Sequence, residues 1–151
     1  MLLKDIIEKG HYLFVDKVDT WEEAIRMSCK PLEKDGTIEP SYAELIIECV
    51  QKYGPYIVLF PNYAIPHSTE NAVGVHDTAI GFMKLEQAIS FEPGNPEKDA
   101  KVFFTLAAID KDKHVENMEQ LFDMLTNEEL LEALLTVKTV EDLIELAEKY
   151  K

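Results

Sequence analysis

The chain is poor in the features that mark secreted, membrane-spanning and nucleic-acid-binding proteins. Only two cysteines occur, Cys29 and Cys49, 20 positions apart and with no CxxC pair. That pattern argues against a disulfide framework, a zinc site or a redox centre, and reads as two free buried thiols without a catalytic role. The longest apolar runs, such as Val102 to Ala108, fall far short of the roughly 20 residues that cross a bilayer. No charged-then-apolar signal peptide opens the sequence, so a cytoplasmic protein is expected. Positive charge is scarce: 15 Lys and Arg stand against 29 Asp and Glu, a net charge of −14. Such a surface repels a phosphate backbone, so no nucleic-acid partner is expected. The acid excess either keeps the domain soluble or steers basic proteins toward it.

What is present is an ordinary globular composition, 46% hydrophobic and 29% charged over 151 residues. That length suits one domain, residues 1–151, with its own core. Leu2 to Lys9 reads as a short helix closed by Gly10, and His11 to Val15 as a strand. Thr20-Trp21-Glu22-Glu23 has capping-box spacing, followed by an apolar side of Ala24, Ile25, Met27, Cys29 and Leu32. Pro40 suits a first helical position, and Leu45, Ile46, Cys49, Val50 and Tyr53 extend an apolar stripe until Gly54-Pro55 stops it.

Tyr56 to Phe60 is a short β-rich run, Pro61-Asn62-Tyr63 a loop, and Thr78 to Leu85 a second strand. Glu92 to Asp99 is a surface loop dense in Pro, Gly and charge. Val102 to Ala108 has the unbroken apolar character of a central strand covered on both faces. Helical patterning resumes at Lys113, with Val115, Met118, Phe122 and Leu125 on one apolar side, a second capping box at Thr126-Asn127-Glu128-Glu129 and a last helix from about Thr139 to Tyr150. The expected fold class is α/β: one mixed β-sheet flanked by helices on both faces.

Chemistry should come from polar residues held at strand ends, and the histidines are the natural candidates. Imidazole titrates near pH ~6.5, so near neutrality much of it is unprotonated and nucleophilic through one nitrogen. His67 follows Pro66, whose ring stiffens the turn in Ala64-Ile65-Pro66-His67. Ser68 and Thr69 come next, and their hydroxyls and amides could donate to phosphate oxygens. His114 lies just past the C-terminal end of the apolar strand, where open α/β sheets place ligands. Facing His67, it could donate a hydrogen bond to a phosphoryl oxygen or, when protonated, offset its charge. His11 and His76 lack such a setting and read as surface or half-buried residues.

Together these features resemble the IIA component of the bacterial sugar phosphotransferase system, in the superfamily of mannitol, fructose and nitrogen-regulatory types. The matching residues are Ala64-Ile65-Pro66-His67, Thr78-Ala79-Ile80-Gly81-Phe82, and Leu106-Ala107-Ala108 leading through Asp110 to His114. Their order spans nearly the whole chain. Gly54-Pro55-Tyr56-Ile57-Val58, with Pro61 and the His67 turn, looks most like the branch serving L-ascorbate and related substrates.

The resemblance implies a phosphoryl relay with no cofactor. The histidine phosphocarrier protein HPr would donate to His67, and His67 would pass the group to a cysteine of a IIB component that serves a membrane IIC permease. His114 would be the second active-site histidine, with Ser68 and Thr69 near the phosphoryl oxygens. Two positions depart from the family pattern. The mannitol and fructose branches usually carry an arginine on the preceding helix where this chain has Gln51-Lys52, and often a glycine where it has Ser68. A lysine there would be a point charge without bidentate geometry, or a solvated helix-end residue.

Two other readings share these residues. A metal site could draw on His67, His76, Asp77 and His114, with Asp110 or Asp112. No standard spacing supports it, and Asp110-Lys111-Asp112 fails as a calcium loop, with Val115 at position six and Leu121 at position twelve. A regulatory domain could instead use His67 phosphorylation only to control binding of a partner.

Overall fold

The computed structural model describes residues 2–68 and 73–150. Its elements are α1 (Leu2–Lys9), β1 (Tyr12–Val15), α2 (Trp21–Lys34), α3 (Pro40–Tyr53), β2 (Val58–Phe60) and β3 (Asn62–Ala64). There follow β4 (Ala79–Ser90), a single 3-10 turn (Pro96–Lys98), β5 (Asp99–Ala107), α4 (Lys111–Leu125), α5 (Glu128–Leu134) and α6 (Val140–Lys149). The strands form one sheet in the order β1-β4-β5-β3-β2. Pairing is parallel for β1 with β4 and for β3 with β5, and antiparallel for β4 with β5 and for β2 with β3. The sheet is therefore mixed, and β5 lies at its centre, as its apolar run requires.

Strand alternation sends neighbouring side chains to opposite faces. Met83, Phe103 and Ala107 pack with Ile25, Leu32, Tyr42 and Ile46 of α2 and α3. Phe82, Phe104 and Leu106 pack with Leu3, Leu121, Leu134 and Leu143 of α1, α4, α5 and α6. Phe82, Phe103 and Phe104 are fully buried, each worth about 1.5–3 kcal/mol of transfer free energy. The two-faced arrangement expected from the sequence is thus present.

The helix ends show what local chemistry does. Thr20 caps α2 by accepting from the Glu23 amide at 3.1 Å, but the Glu23 carboxylate reaches Asp19 N–H, making only half of the expected box. Pro40 opens α3, and Gly54, at φ +83, ends it while donating to Val50 O at 2.8 Å. The expected Thr126 cap is corrected: Asn127 accepts from Leu130 N–H at 3.1 Å, and the Thr126 hydroxyl donates back to Asp123 O at 2.8 Å. Thr126 closes α4, so the next residue must cap α5. Thr139 and Asp142 form a complete reciprocal box on α6.

Residues 61–63, expected as a loop, contain a strand. Asn62 turns the chain at φ +77, a conformation asparagine tolerates, and Tyr63 then pairs with Val102. It also pairs with Phe60 of the preceding β2, but a strand of three residues directly after a turn carries too little pattern to announce itself. Tyr53, expected in the α3 stripe, is 52% exposed, and the inward position at the other end of that stripe is Tyr42. Val115 and Phe122, expected on the apolar side of α4, are exposed, because the helix turns Asn117, Leu121 and Leu125 to the sheet instead.

Candidate functional site

Strands β3 and β5 run parallel, and the chain leaving β3 becomes the turn that carries His67. The β-type pairing persists past the strand: Ile65 N–H donates to Ile57 O at 2.7 Å, and Leu106 N–H to Pro66 O at 2.9 Å. Ile65 and Pro66 are buried, and His67 and Ser68 are half-buried. His67 therefore emerges from a rigid base at the C-terminal ends of two parallel strands.

The ring of His67 is oriented by its own turn. Nδ1 lies 2.6 Å from Ile65 O, and since a carbonyl only accepts, Nδ1 carries the proton and Nε2 the lone pair. Tyr56 stands edge-on to the ring at 5.2 Å between centroids, and its hydroxyl donates to the His67 carbonyl. Burial holds the His67 pKa below its ordinary value; the Ile65 hydrogen bond opposes this and nearby His114 adds to it. At neutral pH the imidazole is uncharged.

His114 comes from the first turns of α4. Its ring centroid is 5.5 Å from that of His67, with 33° between the planes. The helix cap here is Asp110, which accepts from Lys113 N–H at 2.8 Å, so His114 is left for other work. Buried Asn117, one turn further on, donates to Ala107 O at 3.0 Å and Ala79 O at 3.5 Å. Ile109 N–H donates to Thr78 Oγ1 at 3.2 Å. These bonds fasten the start of α4 to the ends of β4 and β5, which fixes where His114 stands.

Ser68 donates its amide to the Tyr42 hydroxyl at 3.3 Å, and its Oγ is 3.9 Å from Cys49 Sγ. Thr69, the other residue expected near the phosphoryl oxygens, lies outside the described residues. Lys52 is exposed, its Nζ 5.1 Å from the Tyr53 ring centroid. His76 bonds Glu39 at 3.0 Å, and among the described residues no cluster of three His, Cys, Asp or Glu could hold a metal ion. His11 is 3% exposed, buried more deeply than its sequence setting suggested, and bonds Asp35.

Sequence reasoning missed Tyr42, Tyr56 and Asn117. The one available signal was that Tyr42 continues the apolar stripe of α3, where a buried phenol needs a hydrogen-bonding partner. Nothing local announces the other two.

The chain is similar in sequence and fold to known proteins. Residues 5–150 match the family described as phosphoenolpyruvate-dependent sugar phosphotransferase system, EIIA 2. The mannitol-specific cryptic phosphotransferase enzyme IIA component of Escherichia coli K12 is 32% identical over 146 residues, covering 97% of each chain. The solution structure of the Escherichia coli protein of that name superposes with a TM-score of 0.85 at 30% identity over 99% of both chains. An ascorbate-specific EIIA component from Shigella boydii is 27% identical over 153 residues, covering 99% of this chain and 97% of its own. The IIA–phosphorylated IIB mannitol complex of Escherichia coli matches with a TM-score of 0.76 at 26% identity, over 92% of this chain and 94% of the matched one. The chain belongs to the type-2 EIIA family of sugar phosphotransferase system components.

Proposed function

We propose that this EIIA component carries its phosphoryl group on Nε2 of His67. The observation that supports this most is the Nδ1 bond to Ile65 O, which leaves Nε2 as the nucleophilic nitrogen of a half-buried, uncharged ring. In the forward step the Nε2 lone pair attacks phosphorus on the phosphohistidine of HPr. The new N–P bond forms as the old one breaks, and the donor imidazole departs with its electron pair. In the second step a IIB cysteine thiolate attacks, an S–P bond forms, and His67 is released as the neutral base.

Phosphohistidine has high transfer potential, so each step needs alignment more than added driving force. His114, at 5.5 Å between ring centroids, is suited to donate to or balance the phosphoryl oxygens. Ser68 and Thr69 complete the proposed surroundings. Exposed Ile109 and Val115 flank His114 in sequence and give a partner apolar surface to rest on.

In this reading the protein works in the cytoplasm with HPr on one side and, on the other, a IIB component serving a IIC permease. Among the described residues no helix is long and apolar enough to cross a membrane. For the carbohydrate, the Gly54 to His67 segment supports the L-ascorbate branch, and the mannitol-type relative marks the competing assignment. Incubation with phosphoenolpyruvate and the general phosphocarrier proteins should give one acid-labile, base-stable phosphate per chain, absent from His67→Gln. Equal labelling of that variant would refute the assignment. Offering ascorbate-type and mannitol-type IIB components as acceptors then reads the substrate class.

A further inference from the structure

We propose that Tyr42 is a positioning residue for phosphoryl transfer, registering the His67 arm of the site against the His114 arm through one buried hydroxyl. The inference rests on His67 as the phosphoryl carrier. Tyr42 sits on α3, 4% exposed, and its oxygen joins two backbone groups of the site. The hydroxyl has one proton, which it donates to Leu106 O at 2.7 Å. Its remaining capacity is to accept, and the donor it receives is Ser68 N–H at 3.3 Å.

Those two backbone groups belong to opposite halves of the site. Ser68 directly follows His67. Leu106 precedes Ala107, whose carbonyl is held by Asn117 of α4, three residues beyond His114. One oxygen therefore ties the segment leaving His67 to the strand end that launches the His114 helix. The chain before His67 is held by Ile57 and Leu106, and His67 O by Tyr56; on the far side Tyr42 holds the Ser68 amide, while the Ser68 hydroxyl lies 3.9 Å from Cys49 Sγ.

Packing alone does not call for that oxygen. Phenylalanine would fill the same space with no hydroxyl to desolvate, and a buried hydroxyl is costly unless bonded. Its use at a junction of two site arms is the economical reason for a tyrosine here. In-line transfer between two proteins depends steeply on alignment, where a displacement of about 1 Å can slow reaction by about 100-fold.

Tyr42→Phe, made in the full chain, removes both bonds and keeps the ring. Tyr63→Phe is the control, because Tyr63 also buries a hydroxyl that donates to a backbone carbonyl, that of Leu131 on the other face of the sheet. Transfer from phosphorylated HPr should slow by roughly 10-fold in kcat in Tyr42→Phe, with KM within about 2-fold and one phosphoryl group still carried on His67. Tyr63→Phe should lose stability and keep the parental rate. Equal rates in the two variants would overturn the positioning role. In the unsubstituted protein, hydrogen exchange should show Ser68 N–H protected; exchange at the rate of an unbonded loop amide would overturn it independently, even if Tyr42→Phe failed to fold. A parent that takes no label on His67 overturns the functional reading and this role with it, whereas a labelled parent with an unaffected Tyr42→Phe overturns this role alone.

Discussion

Nδ1 of His67 lies 2.6 Å from the carbonyl oxygen of Ile65, two residues earlier in the same turn. This one bond settles the tautomer, points the ring, and assigns the lone pair to Nε2. The following outcomes are expected from that arrangement and from the contacts around it.

Transfer to His67 should show an acid limb whose midpoint lies below about 6.5, because the reactive form is neutral and burial lowers the folded pKa. The same shift gives a stability signature. The folded state binds fewer protons than the unfolded chain, so the contribution is full above the unfolded value of about 6.5 and is lost as pH falls through the depressed folded value. Melting temperature should therefore fall more steeply below pH ~6.5 in the parent than in His67→Gln. Parallel curves would contradict the lowered pKa.

His114→Ala should still accept phosphate on His67 but slow transfer to and from it by roughly 10- to 100-fold if, as proposed, His114 donates to the phosphoryl oxygens. Rapid-quench kinetics with HPr and IIB partners would test this. Normal labelling together with normal onward transfer would remove His114 from the mechanism.

Asp110→Ala should cost about 1 kcal/mol of stability, because the Lys113 amide loses its cap at the start of α4. Since His114 sits on that first turn, transfer should slow as well. Asp110→Asn keeps a capping oxygen and should restore both. Thermal melts beside transfer assays would show whether the two losses travel together.

Lys84→Met should destabilise the fold by about 1–3 kcal/mol and leave transfer kinetics intact. Lys84 is 1% exposed, and its Nζ donates to Val137 O at 2.9 Å and to Glu86 at 3.2 Å. Methionine fills the space but leaves the Val137 carbonyl without that donor. Urea melts would read the loss, and a slowed transfer rate would show that this end of the sheet is coupled to His67.

Much of the fold was legible because its signals are local. The α3 helix announces itself by Pro40 at one end and Gly54 at the other, and β5 by an apolar run that only a strand covered on both faces accommodates. Where two local signals compete, reading fails: Thr126 and Asn127 both suit a cap, and only the close succession of α4 and α5 decides between them. β3 was hidden because three residues after a turn carry too little pattern to reveal a strand, and its place between β2 and the distant β5 is a tertiary fact.

The candidate site divides along the same line. The sequence by itself determined that a histidine follows a proline in a stiff turn and that another histidine opens the helix after the central strand. Local propensity, capping chemistry and periodicity depend on near neighbours, so they survive without a fold. Only the tertiary structure brought the two rings to 5.5 Å, buried His67 enough to lower its pKa, and let Tyr42 join Ser68 to Leu106. Desolvation and long-range hydrogen bonds depend on which distant segments pack together, and no short window of sequence contains that information.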